Sequence, residues 1–225
     1  LCLTRPDVVL VERMHRAYLD AGARILSTNT FNANAVSQAD YGSAGLVPLI
    51  NRAAAGLARA EADAWEAGTG GDVFVAGSVG PTNRTLSLSR EVEDPAARAI
   101  DFDTLREAYE TQITALIEGG VDLVLIETVF DSLNARAALV AAERACERLG
   151  RRVPAIVSGT VTDKSGRTLS GQTVEAFAAS VRSPLLCAVG LNCSFGARDL
   201  VPHVRRLAQT QGLPVGIHPN AGLPD

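Results

Sequence analysis

The chain alternates amphipathic helical stretches with six short aliphatic and β-branched runs, and this alternation restricts it to folds built from βα units around a parallel sheet. The runs fall at residues 24–27, 73–76, 123–126, 155–157, 186–190 and 215–217. They show no polar alternation, as expected of strands covered on both faces. Leu105, Tyr109, Ile113, Leu116 and Ile117 recur at three- and four-residue steps, and Gly119-Gly120 then closes that helix before a strand begins. Ala21-Gly22-Ala23 repeats the arrangement after a helix starting near Pro6.

The returns from helix to strand are short, whereas the strand-to-helix segments at 80–98 and 159–172 are long and polar. Elaborate loops at the carboxyl ends of strands are where barrel enzymes place their chemistry. A full barrel needs eight strands and about 250 residues. Six are visible in 225 residues, so the expected architecture is a (β/α)8 TIM-type barrel lacking its first and last strands, with residues 1–225 forming one incomplete barrel domain. A doubly wound sheet is the alternative, but no GxGxxG follows any run; Gly68, Gly70 and Gly71 precede a strand.

A hydrophobic content of 47% supports a large core, and a net charge of −4 without a basic stripe excludes nucleic acid as a partner. No apolar run approaches the roughly 20 residues that cross a bilayer, so no membrane partner is expected. Cys2, Cys146, Cys187 and Cys193 form no CxxC pair, which favours a reducing, cytoplasmic setting over a disulfide framework.

Polar residues gather after the runs: Asn29, Asn83 and Arg84, Glu127, Thr160 and Asp163, Asn192 and Cys193, His218 and Asn220. A carboxylate at the end of an apolar strand, as at Glu127, needs a cation or a ligand to offset desolvation. A loop arginine or a substrate would each serve. Cys193 can bring its sulfur to the barrel mouth, as a metal ligand or as a small buried residue. Cys187 lies six residues away, about 20 Å along a strand, too far to share a metal, and is expected in the core. His15 and His203 sit among charged neighbours and are expected at the surface, while His218 can line the barrel or act as acid, base or ligand. Ser158, Ser170 and Ser194 lack the glycine-flanked elbow of a hydrolase nucleophile, and no catalytic residue is assigned.

Six segments, in order along the chain, resemble the homocysteine S-methyltransferase family: STNTF at 27–31, GPTNRT at 80–85, IETVFD at 126–131, SGTVTDKSGRTLSGQT at 158–173, GLNC at 190–193 and HPNAGLP at 218–224. The fourth and sixth point within that family to the homocysteine-binding modules of cobalamin-dependent methionine synthases, rather than to relatives using betaine or S-methylmethionine. The resemblance implies a (β/α)8 barrel that carries a methyl group to the thiol of homocysteine, giving methionine. It implies zinc held by three cysteines, of which Cys193 matches the one in the Asn-Cys motif. The adjacent pair on a later strand has no counterpart up to Asp225, so an inert barrel or scaffold is the competing expectation. Glu127 matches the carboxylate that contacts the homocysteine amino group; Asn29, Asn192 and Ser194 are further candidates for the pocket wall. Cobalamin and folate would be bound by other modules of the parent protein.

Overall fold

The computed structural model describes all residues except 1–4, 90–92, 95, 211 and 223–225; for Arg5 and Pro6 only the backbone is described. Cys2 and the last residues of the HPNAGLP segment lie outside that set. The helices are α1 (Arg5–Asp20), α2 (Ala35–Ala39), α3 (Val47–Thr69), α4 (Phe102–Glu118), α5 (Ser132–Leu149), α6 (Val174–Ser180) and α7 (Ala197–Thr210). The strands are β1 (Ile25–Ser27), β2 (Phe74–Val79), β3 (Leu123–Val129), β4 (Ala155–Gly159), β5 (Leu186–Gly196) and β6 (Val215–Asn220).

All six strands are parallel and neighbour one another in chain order, with helices between them, so the sheet is an arc of a TIM-type barrel. Leu26, Val75, Val79, Val124, Ile126, Val157, Val189 and Leu191 pack with Ile113, Leu116 and Phe177 of the helical layer in one core. Gly159 makes that contact possible: a Cβ there would stand 2.8 Å from the Phe177 ring. On the other, concave face of the arc, the register partners Ile25 and Phe74 are exposed. Among the described residues no helix is long and apolar enough to cross a membrane.

Every strand run read from the sequence is present, but five of the six extend further at their carboxyl ends. β5 continues to Gly196 and β3 to Val129 through register shifts, at Asn192/Gly196 and Ile126/Val129 respectively. At the start of β5, Ala155 pairs with Leu186 and Ile156 with Ala188, which leaves Cys187 as the extra residue of a bulge. Cys187 is therefore exposed and not in the core, its thiol reaching the Ala155 carbonyl at 3.3 Å.

The surface placement expected of two histidines is also corrected. His15 occupies the buried stripe Val11, His15, Leu19 of α1 and is 2% exposed. His203 occupies the stripe Leu200, His203, Leu207 of α7 and is 7% exposed. Their charged sequence neighbours project from other faces of the same helices, because adjacent residues on a helix lie about 100° apart.

Burial lowers the pKa of His15 below its ordinary 6.5, with the Glu61 charge opposing the shift. The unfolded chain takes up this proton at a higher pH than the folded one, so stability drops as pH falls below about 6.5. Thermal melts from about pH 7.5 down to about pH 5 should show Tm falling, and His15→Leu should flatten that limb. An unchanged pH profile in the variant would contradict the assignment.

Candidate functional site

Side chains alternate across a strand, so the registers decide what meets at the carboxyl mouth. Ser78 of β2 pairs with Leu125 of β3, Ser158 of β4 with Gly190 of β5, and Asn192 of β5 with His218 of β6. Ser78, Glu127, Ser158, Asn192 and His218 thus share the concave face near the strand ends. Cys193 follows at the bulge, half-buried.

Glu127 is half-buried and accepts a hydrogen bond on Oε1 from the Ser78 hydroxyl at 2.6 Å. Among the described residues no arginine, lysine or histidine forms an ion pair with it. Between the two sequence readings of this carboxylate, the loop-arginine partner is not found there. The site offers a partly desolvated anion with one neutral donor, the arrangement that a cationic ligand would complete.

Asn192 is 4% exposed and ties three strands together. Its Oδ1 accepts from the Thr128 backbone N–H at 3.0 Å and from the Ser158 hydroxyl at 2.7 Å. Its Nδ2 donates to Thr128 Oγ1 at 2.8 Å and to Cys193 Sγ at 3.0 Å. The Thr128 N–H can only donate, which fixes the orientation of the amide, and all four hydrogen-bonding capacities of the side chain are then used within the protein. These partners sit where the backbone is strained: Thr128, Cys193 and Ser194 have φ of 58°, 60° and 63°. Each left-handed non-glycine residue costs about 1–3 kcal/mol and persists only where its surroundings over-determine it.

The other sequence candidates are distributed around this centre. Asn29 is exposed just beyond β1. The Ser194 hydroxyl donates to the Val161 carbonyl, and Thr160 Oγ1 donates to the Asn192 carbonyl at 3.2 Å. His218 is exposed.

Sequence reasoning missed the groups that hold the loops. Asp131 caps α5 by accepting from the Leu133 N–H at 2.9 Å, and also accepts from the Ser87 N–H at 2.9 Å and the Ser87 hydroxyl at 2.7 Å. Asn134 accepts from the Leu86 N–H at 3.0 Å and donates to the Arg84 carbonyl at 2.9 Å. The segment 84–87 is thereby fixed to the start of α5. Beneath it lies a small cavity bordered by Gly80, Tyr109, Glu127 and Asp131, where burial pushes the Tyr109 phenol well above its usual pKa. An Asp five residues past an apolar run and just before a helical stretch was the available signal. In the second loop Gly166 lies against the buried His203 ring, where a Cβ would come within 2.3 Å of Nδ1.

Among the described residues no group of three His, Cys, Asp or Glu side chains could hold a metal ion. One thiol flanked by an amide falls short of the three or four protein ligands that zinc requires. The described donor set does not fit a complete zinc centre.

Over residues 1–225 the chain matches the homocysteine S-methyltransferase family. It belongs to that family. This methyltransferase is similar in structure to the metallated form of the homocysteine methyltransferase MmuM from Escherichia coli, with 23% identity and a TM-score of 0.80 over 98% of this chain and 74% of that one. The apo form of the same protein gives 22%, 0.74, 98% and 74%. The 6-hydroxypseudooxynicotine amine oxidase HisD from Pseudomonas geniculata N1 matches with 11% identity and a TM-score of 0.63 over 94% of this chain and 39% of that one. At these identities the structural likeness shows the fold, which the methyltransferase shares with an enzyme of different chemistry.

Replacing Asp131 with Ala should remove the α5 cap and free Ser87, destabilising by about 1–2 kcal/mol. Hydrogen exchange should speed up at Ser87 and Leu133 in particular; protection unchanged at both amides would show that the loop is held by other means.

Proposed function

We propose that residues 1–225 form a barrel domain that binds homocysteine and presents its thiol for methylation to methionine, as the homocysteine module of a methionine synthase. The observation that supports this most directly is the carboxylate of Glu127: it sits at the mouth, held by Ser78, with no cation of the described residues beside it. An amino acid brings an ammonium to such a group, and anchoring that end fixes the direction in which its thiol points. Asn29, Asn192 and Ser194 supply the wall. Asn192 and Ser194 act there through rigidity, because their side-chain polar groups already bond to protein.

Cys193 is proposed as one zinc ligand. The described residues supply no complete set, so this chain's own part in the chemistry is confined to binding, orienting and contributing one sulfur donor. Cobalamin and folate would belong to other modules of the parent protein, acting as partners. A second reading, a homocysteine-binding scaffold without catalysis, draws support from that single thiol.

Calorimetric titration tests both parts. Glu127→Gln should weaken L-homocysteine binding about ten- to a hundredfold, the range for losing a hydrogen bond between charged groups. Zinc should bind the 225-residue chain weakly. Tight stoichiometric binding abolished by Cys193→Ser would refute the incomplete site, and unaltered homocysteine affinity in Glu127→Gln would refute the ammonium contact.

A further inference from the structure

We propose that Ser78 is a positioning residue for substrate recognition, holding Glu127 in the orientation that receives the ammonium of homocysteine; this rests on the reading of Glu127 given above.

The case begins with a closed ring of hydrogen bonds behind the mouth. The Ser78 N–H donates to Thr28 Oγ1 at 2.9 Å, the Thr28 and Thr30 hydroxyls meet at 2.6 Å, and Thr30 Oγ1 donates to the Ser78 carbonyl at 2.7 Å. An N–H can only donate and a carbonyl can only accept, so the direction around the ring is set: Thr28 must donate to Thr30. Both threonine hydroxyl protons are thereby committed. Gln112 Nε2 reinforces the ring by donating to the Thr30 carbonyl at 2.9 Å.

The backbone on both sides of Ser78 is equally constrained. At Gly77 a Cβ would lie 3.1 Å from Leu116 Cδ1, and at Gly80 it would lie 2.6 Å from the Phe31 carbonyl oxygen, which accepts the Gly80 N–H at 2.9 Å. Ser78 itself is 3% exposed, so it is a rigid internal point and not a contact surface.

From that point the Ser78 hydroxyl donates to Glu127 Oε1. A glutamate has three side-chain torsions, and ordering a long side chain of this kind costs conformational entropy. Ser78 meets part of that cost before a ligand arrives. Among the described residues Oε2 has no hydrogen-bond partner, and it stays available to accept from an ammonium. The Ser78 hydroxyl acts through Glu127, so the effect of Ser78 should follow the amino group alone.

A ligand pair isolates this effect. L-homocysteine and 4-mercaptobutyrate share the thiol and the carboxylate, and only the first has the amino group. In calorimetric titrations of the 225-residue chain, Ser78→Ala should weaken L-homocysteine about tenfold, the scale of one hydrogen bond to a charged group. It should leave 4-mercaptobutyrate within about twofold. Ser78→Cys, close in size and a weaker donor, should fall between serine and alanine. It decides the question alone if the alanine variant does not fold by its near-ultraviolet circular dichroism.

Equal losses for both ligands would overturn the proposal, because Ser78 would then only shape the pocket. Discrimination lost in Glu127→Gln but kept in both Ser78 variants would overturn it while leaving the Glu127 contact standing. Discrimination kept in Glu127→Gln, or no heat from L-homocysteine in the unaltered chain, would remove the Glu127 contact and the role of Ser78 with it.

Discussion

Three strand ends converge on one amide. Asn192 joins β3, β4 and β5 through four hydrogen bonds, and the left-handed backbone at Thr128 and Cys193 is found where those bonds are made. Without a fixed acceptor for the Thr128 N–H, β3 would lose the contact that supports its turn beyond Glu127. Without the amide donor, the sulfur of Cys193 would lose its neighbour on the β5 bulge. A buried, saturated polar hub gives directional restraint where apolar packing does not, because dispersion contacts fix distance better than angle. The mouth therefore acquires its geometry from polar bonding, while the helical side of the sheet is held by its apolar core.

A second buried polar assembly stands beside the first. The ring of Ser78, Thr28 and Thr30 immobilises the end of β2, and the Ser78 hydroxyl passes that rigidity across to β3. The Asp131 and Asn134 bonds extend it to the loop above. Glu127, Asn192, Cys193 and Ser194 are thus each backed by protein donors or acceptors. Such backing narrows the range of orientations available to a ligand-binding group.

The fold was legible because it depends on periodicity. Six apolar runs and glycine-ended helices gave the strands, their parallel order and the barrel arc, and Gly120 does take the left-handed conformation, at φ 99°. The strand ends were not legible, since β3 and β5 continue through register shifts that no apolar run marks in the sequence. Cys187 was placed in the core because it lies too far along the strand from Cys193 to share a metal, and that distance does not show that it is the extra, outward residue of a bulge. His15 and His203 were misplaced because their charged neighbours in sequence lie on different helix faces. Glu127, Asn192 and Cys193 could be picked out by residue type and position. Ser78 could not, since a serine inside an apolar strand acquires meaning only from the carboxylate two residues along the adjoining strand.

The left-handed conformations of Thr128, Cys193 and Ser194 also set stability against chemistry. Glycine or asparagine would occupy these backbone positions with less steric conflict. A library selected only for resistance to heat would accordingly drift toward those residues, and in doing so would discard the thiol at 193 and the threonine hydroxyl that pairs with Asn192. Thermal hardiness and retention of this mouth would have to be selected separately.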